Sequence, residues 1–334
     1  MANRLKFLLS AALIALIGAG LLWAVDIRPG LLSPGALQAT QIQRASQDKD
    51  FPIVLTDAIG ESIQLNQPPQ RIVSATLVTD EILSVLVDSS RIAGVTFLAD
   101  NAAISNVPDH YPDSIQRIQG EVEEIIALQP DLVFISPYTR AETVRLLLGT
   151  QIPVVRLPDL NTFNDIENSI NLTALATGTS EQAEEILQPI KSKLIELREK
   201  LESTERPRVL FYNLGGTTVG PGSTIDEIIE LAGGYNVVRS TGIKGSQKIN
   251  EELAISLQPD VILVSGWVNQ DGTPASEQLK MLSAWKNVPA VKQHQVYDLN
   301  GGWLFSTSQF TWDGIHQVAS ILHPHLFTAQ SKQL

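Results

Sequence analysis

The pattern of apolar and polar positions repeats one phrase. Glu123-Glu124-Ile125-Ile126-Ala127-Leu128-Gln129-Pro130-Asp131 runs into the apolar stretch Leu132-Val133-Phe134-Ile135 and ends at Ser136. Glu252-Leu253-Ala254-Ile255-Ser256-Leu257-Gln258-Pro259-Asp260 runs into Val261-Ile262-Leu263-Val264 and ends at Ser265. Each copy predicts a short acid-headed helix. It stops where proline lacks an N–H and disfavours helix in the residue before it. The aliphatic and β-branched run that follows predicts a strand covered on both faces, as in a parallel sheet. Two copies predict two similar α/β lobes, with ligand-binding chemistry between them.

The rest of the chain fits around this pair. Residues 51–55 and 62–65, separated by a turn through Asp57 and Gly60, predict a hairpin. Arg71-Ile72-Val73-Ser74-Ala75 predicts a strand, followed by a helix with Thr79 as N-cap and Asp80 and Glu81 in its first turn. A strand at 91–96, a loop at 101–112, a helix at 142–148, a strand at 154–157 and a helix at 162–177 follow. Strands alternating with helices predict parallel sheets with helical crossovers. Residues 181–204 differ: Ile186, Leu187, Ile190, Leu194, Leu197 and Leu201 recur at helical spacing among charges, with Pro189 inside. Beyond it come a strand at 208–212, a Gly-rich loop at 215–223 and a helix to Leu231 closed by Gly233-Gly234. A helix at 277–285, a strand at 295–299, an aromatic loop at Trp303-Leu304-Phe305 and a closing helix to Leu322 complete the pattern.

Composition narrows the function. A net charge of −12 over 334 residues argues against nucleic acid, which needs a basic surface. No cysteine is present, which removes disulfides, thiolate metal sites, cysteine nucleophiles and a lipid-modified cysteine together. Arg4 and Lys6 precede an uncharged stretch from residue 7 to 25. This predicts a signal peptide or an uncleaved membrane anchor over residues 1–25, with the body outside the cytoplasm. Residues 26–50 read as a spacer.

Six kinds of stretch stand out along the chain: Pro69-Gln70-Arg71-Ile72-Val73-Ser74, Ile92-Ala93-Gly94-Val95, both Leu-Gln-Pro-Asp units, Gly220-Pro221-Gly222-Ser223, Leu231-Ala232-Gly233-Gly234-Tyr235-Asn236 and Leu322-His323-Pro324-His325-Leu326-Phe327. Taken in chain order, they resemble the solute-binding proteins of ABC importers for iron–siderophore, haem and cobalamin. The resemblance implies two Rossmann-like lobes with mainly parallel sheets, at 51–179 and 206–334, bridged by one long helix at 180–205. Lobe motions would then be small. It implies a monomer with no intrinsic cofactor and no enzymatic activity. Any iron or cobalt would arrive chelated in the ligand. The partners implied are an ABC permease and its ATPase, with Glu123 and Glu252 docking onto permease arginines. Each Glu opens a helix, a position that the helix dipole favours, and an exposed carboxylate pairs well with guanidinium. Glu124 and Glu251 are the adjacent competitors. The alternative is a membrane-tethered sensor or structural subunit that reuses the fold without transport.

Cleft residues are expected just after the carboxyl ends of strands. That rule selects Thr76, Leu77, Phe97, Tyr138, Arg140, Tyr212, Asn213, Gly215, Gly216, Thr217, Trp267, Trp303 and Phe305. Aromatic faces suit a large flat ligand, and Arg140 suits an anionic group on it. Trp285 and Trp312 lie on helical patterns and read as core. His323 and His325 flank a proline without metal-ligand spacing, so no bare-metal site is expected. The Gly-rich loop lacks a Gly-Lys-Ser/Thr ending, so Gly220 and Gly222 are assigned to turns and Ser223 to a helix N-cap. No Gly-x-Ser-x-Gly elbow supports a hydrolase.

Overall fold

The computed structural model describes residues 51–265 and 272–327, and these belong to one compact unit. The N-terminal apolar stretch, the 26–50 spacer and Trp267 lie outside the described residues. Among those described, no helix is long and apolar enough to cross a membrane.

The chain opens with a hairpin of β1 (Ile53–Thr56) and β2 (Ser62–Leu65), whose alternate residues face the core. The first half then runs β3 (Ile72–Ser74), α1 (Leu77–Leu86), β4 (Ile92–Thr96), β5 (Gln116–Ile118), α2 (Val122–Ala127), β6 (Leu132–Ile135), α3 (Ala141–Leu148) and β7 (Val154–Arg156). Its five strands form a parallel sheet in the order β5-β4-β3-β6-β7. Helices α4 (Phe163–Thr177) and α5 (Ser180–Leu201) follow. The second half runs β8 (Arg208–Phe211), β9 (Thr217–Val219), α6 (Thr224–Leu231), β10 (Tyr235–Asn236), β11 (Ser246–Lys248), α7 (Glu251–Ser256) and β12 (Val261–Ser265). It continues with α8 (Ala275–Met281), α9 (Pro289–Lys292), β13 (Val296–Leu299), α10 (Gly301–Leu304) and α11 (Thr311–Leu322). Strands β10-β8-β12-β13 form a second parallel sheet, and β9 pairs antiparallel with β11 beside it.

The repeated phrase has the same physics in both halves. Gln129 and Gln258 end α2 and α7 in the left-handed region, at φ 48° and 45°. There they cannot continue a right-handed helix, and the proline after each holds the chain away from one. Asp131 then accepts the backbone N–H groups of Gln70 and Arg71 at 2.7 and 2.8 Å, while Asp260 accepts that of Arg208 at 3.0 Å. In return, the Arg71 guanidinium donates to the carbonyls of Leu128 and Gln129, and that of Arg208 to the carbonyl of Leu257. Each unit thus ties a helix C-terminus to the start of the neighbouring strand, and its arginine supplies donors to carbonyls that the helix leaves unpaired.

Helix α5 joins the two cores. Ala183 and Leu187 pack into the core under the first sheet, and Leu197 into the core of the second half. Burying each leucine stabilises by about 2 kcal/mol. Pro189 lies on the exposed face of an otherwise continuous helix. The N-cap expectation at Ser223 agrees with the structure, since its hydroxyl accepts from the N–H of Asp226 at 3.2 Å. The one at Thr79 does not. Helix α1 starts earlier, after Thr76, and Thr79 is buried with its hydroxyl 2.6 Å from that of Ser74. Gly222 has the positive φ of a turn, at 85°. Gly220 instead permits a close approach: a Cβ there would lie 2.2 Å from the carbonyl oxygen of Ile243. Trp303 belongs to a one-turn helix rather than a loop.

Candidate functional site

A cavity of about 730 Å³ opens beyond the carboxyl ends of β3, β4, β5 and β6. Strand ends collect ligands because the loops that follow them diverge and leave a crevice. Ala75, Thr76 and Leu77 line it after β3; Phe97 and Leu98 after β4; Gln119, Gly120 and Glu121 after β5; Ser136, Tyr138, Thr139 and Arg140 after β6. The second half contributes Phe305, Ser306 and Thr307 opposite them. Three aromatic rings stand exposed around the space, with Phe97 45%, Tyr138 75% and Phe305 40% accessible. Their grouping around one space, rather than their exposure alone, is what marks a ligand groove.

Six of the residues selected from the sequence therefore share this cavity: Thr76, Leu77, Phe97, Tyr138, Arg140 and Phe305. Others stand elsewhere. Tyr212 is buried in the second half, packed against the fully buried Trp285 with ring centroids 4.9 Å apart and planes tilted by 47°. Gly216 has φ 82° and turns the chain into β9, where Thr217 pairs with Lys248. Asn213 accepts the hydroxyl of Ser265 at 2.7 Å, which closes the end of β12. Trp303 is half-buried, its N–H donated to Asn300 and its carbonyl pressed on Gly314. Trp312 is half-buried and lies under the Lys193 ammonium, 5.7 Å from the ring centroid.

Sequence reasoning missed the wall after β5. That strand is three residues long and carries no alternation, so its strand end gave no signal. It also missed Glu81, which borders the cavity although it is only 2% exposed. The Glu81 carboxylate accepts from the N–H and side-chain amide of Asn106 at 3.0 and 2.8 Å. It also accepts from the hydroxyls of Ser306 and Ser308 at 3.0 and 2.5 Å. Burial raises its pKa above the ordinary glutamate value, and these hydrogen bonds oppose the rise. Its neighbour Asp80 is fully buried and accepts from the N–H and hydroxyl of Thr96. Burial pushes Asp80 up to about 7 against those bonds, with the Glu81 charge adding to the rise.

The charges at the cavity are already matched. Arg140 is paired with the Glu121 carboxylate, both groups largely exposed. Glu81 is saturated by donors. Among the described residues no group of three or more metal-ligating side chains occurs. The site therefore offers aromatic faces, hydroxyls and backbone groups rather than a free cation or a metal cage.

The family model for periplasmic binding proteins matches residues 72–301. The chain belongs to the periplasmic binding protein family. It is a binding protein rather than an enzyme. It is 24% identical over 326 residues to the uncharacterised ABC transporter substrate-binding lipoprotein YvrC of Bacillus subtilis, covering 93% of this chain and 98% of that one. It is 27% identical over 252 residues to a vitamin B12-binding protein of Vibrio parahaemolyticus, covering 72% of this chain and 88% of that one. The molybdate-bound structure of MolA from Haemophilus influenzae shares the fold with a TM-score of 0.69 at 21% identity, over 83% of this chain and 93% of that one.

Proposed function

We propose that this protein captures a chelated-metal ligand of the cobalamin, haem or ferric-siderophore kind in the cavity at the β3–β6 strand ends and delivers it to an ABC permease and its ATPase. The observation that carries this reading is the ring of exposed aromatics, Phe97, Tyr138 and Phe305, around a 730 Å³ space with no unpaired cation among the described residues that line it. A bare oxyanion such as molybdate, bound by the structural relative MolA, would need donors or positive charge concentrated at one point. Here Arg140 is engaged by Glu121. A large ligand with flat apolar faces suits the site better, and the vitamin B12-binding relative points the same way.

In this proposal the lobes are residues 51–179 and 206–334, joined by the helix at 180–205, and the protein works as a monomer. The body lies outside the cytoplasm, held by the apolar stretch of residues 7–25. The Bacillus relative is named a lipoprotein, but this chain has no cysteine to carry a lipid.

Docking falls to Glu123 and Glu252. Both are exposed and make no hydrogen bond or ion pair among the described residues. Their neighbours are occupied: Glu124 accepts the N–H of Gln119 and Glu251 accepts the indole N–H of Trp285, each at 2.7 Å. A free carboxylate on each half is available to guanidinium partners, and such pairs steer encounter.

Tryptophan quenching of the purified protein against cyanocobalamin, haemin and a ferric siderophore tests the ligand class; failure of all three to bind refutes it. The double variant Glu123→Arg/Glu252→Arg should lose permease binding and keep ligand affinity. Uptake at the wild-type rate in that variant refutes the docking role.

A further inference from the structure

Helices α1 and α6 occupy the same place in the two halves, and each carries an Asp-Glu-Ile sequence in its first turns: Asp80-Glu81-Ile82 and Asp226-Glu227-Ile228. The two aspartates work within their own halves. Asp80 accepts from Thr96 on β4, and Asp226 accepts from the side chains of Asn236 and Arg239 beside β10. The two glutamates reach across to the opposite half. Glu81 accepts the hydroxyls of Ser306 and Ser308, and the Gln309 side-chain amide donates to the Glu81 carbonyl at 2.7 Å. Glu227 accepts the N–H of Phe163, at the start of α4, at 2.6 Å. Each cross-contact has a companion. Asn106 donates to the carbonyl of Gly302 at 2.9 Å, and the Thr224 hydroxyl to the carbonyl of Leu160 at 2.6 Å.

We propose that Glu81 and Glu227 are positioning residues that clasp the two halves from opposite directions, with Glu81 holding segment 305–309 as the far wall of the ligand cavity. The proposal rests on ligand capture in that cavity. Phe305, Ser306 and Thr307 are the second half's contribution to its lining, and the side-chain hydroxyls of Ser306 and of the adjacent Ser308 both donate to Glu81. A carboxylate with four donors from two segments is a fixed point, because removing any donor leaves charge unsatisfied in a buried place. Burial raises both carboxyls, Glu227 to about 7, and Asp165 and Asp226 beside Glu227 add to the rise while Arg239 opposes it. These are groups held by geometry rather than by solvation. Two clasps far apart in sequence preset the distance between the halves before ligand arrives, which lowers the ordering cost of binding.

The absence of native cysteine allows spin labels at Glu142→Cys and Glu277→Cys, in the first turns of α3 and α8, to report the distance between the halves alone. In the full chain purified in detergent, Ser306→Ala/Ser308→Ala should broaden the distance distribution with unchanged circular dichroism. Glu81→Ala should do the same, and Glu81→Gln should restore the narrow distribution, because serine hydroxyls can reverse and accept from the amide. Glu227→Ala should broaden it independently, with rescue by Glu227→Gln. Cyanocobalamin should dissociate faster from the Ser306→Ala/Ser308→Ala variant than from wild type. A wild-type distribution in the serine variant overturns the role of Glu81, and one in Glu227→Ala overturns that of Glu227. Failure of the wild type to bind cyanocobalamin counts against the ligand class, while the distance measurement still decides the clasp.

Discussion

Replacing Asp131 and Asp260 one at a time by alanine tests the repeated unit, because the two carboxylates do unequal work. Asp131 accepts two backbone N–H groups, at 2.7 and 2.8 Å; Asp260 accepts one, at 3.0 Å. A buried hydrogen bond to a charged group contributes about 1.5–3 kcal/mol net, and these partly exposed ones are worth roughly half that, about 1 kcal/mol each. Asp131→Ala should therefore cost about 2 kcal/mol and Asp260→Ala about 1 kcal/mol. With a urea slope of about 3 kcal/mol/M for a chain of this size, the midpoints should fall by about 0.7 M and about 0.3 M, with the slope unchanged. Urea titration followed by circular dichroism at pH 7 measures both. The result bears on function, since these aspartates anchor the C-terminal ends of the helices that carry Glu123 and Glu252. Equal losses for the two variants, or a larger one for Asp260→Ala, would falsify the account of the unit.

Three further outcomes follow from the same geometry. Gln129→Gly and Gln258→Gly should each stabilise by about 0.5 kcal/mol, because the left-handed penalty for a side chain exceeds the entropy cost of glycine; a lower urea midpoint in either contradicts that assignment. Asp80 contributes stability that falls as pH rises from about 4 to about 7: raised from 3.8 to about 7, it keeps a proton in the native state that the unfolded chain has lost. Its contribution is complete below the unfolded value and gone above the folded one. Asp80→Asn should flatten urea midpoints measured between pH 5 and pH 8, and an unchanged slope rules Asp80 out as the source. Glu121→Ala should free the Arg140 guanidinium and raise haemin affinity about twofold relative to cyanocobalamin in quenching titrations, a small effect because the pair is exposed and screened by solvent. Equal changes for both ligands would show that Arg140 does not meet the haemin carboxylates.

The architecture was legible wherever local physics decides it. Proline after a left-handed glutamine stops α2 and α7 whatever surrounds them, and the runs 132–135 and 261–265 bury on both faces. Cavity residues after β3, β4 and β6 could be found because the strands themselves were visible. Three kinds of residue could not be read. Tyr212 and Tyr138 both follow strands, yet one packs against Trp285 and the other stands exposed; the difference lies in a partner distant in sequence. Glu81 read only as a first-turn acid that suits the helix dipole, because the serines that hold it come from the far end of the chain. The wall after β5 was hidden behind a strand too short to carry a period.

The two halves duplicate their scaffold but not their site. Both have the arginine at a strand start, the left-handed glutamine, the pinning aspartate and the Asp-Glu-Ile helix. Among the described residues, however, the cavity takes nearly all its wall from the first half, and only residues 305–307 from the second. The equivalent place in the second half, after β8, is filled by Tyr212 against Trp285 and by the β9–β11 pair. Selectivity is therefore expected to reside in the loops after β3, β4, β5 and β6, while the second half supplies one wall. Such a division requires the halves to keep a fixed separation, or the single opposing wall would not meet the ligand. One continuous helix packed into both cores, with the clasp proposed for Glu81 and Glu227, is the arrangement expected to supply that constraint.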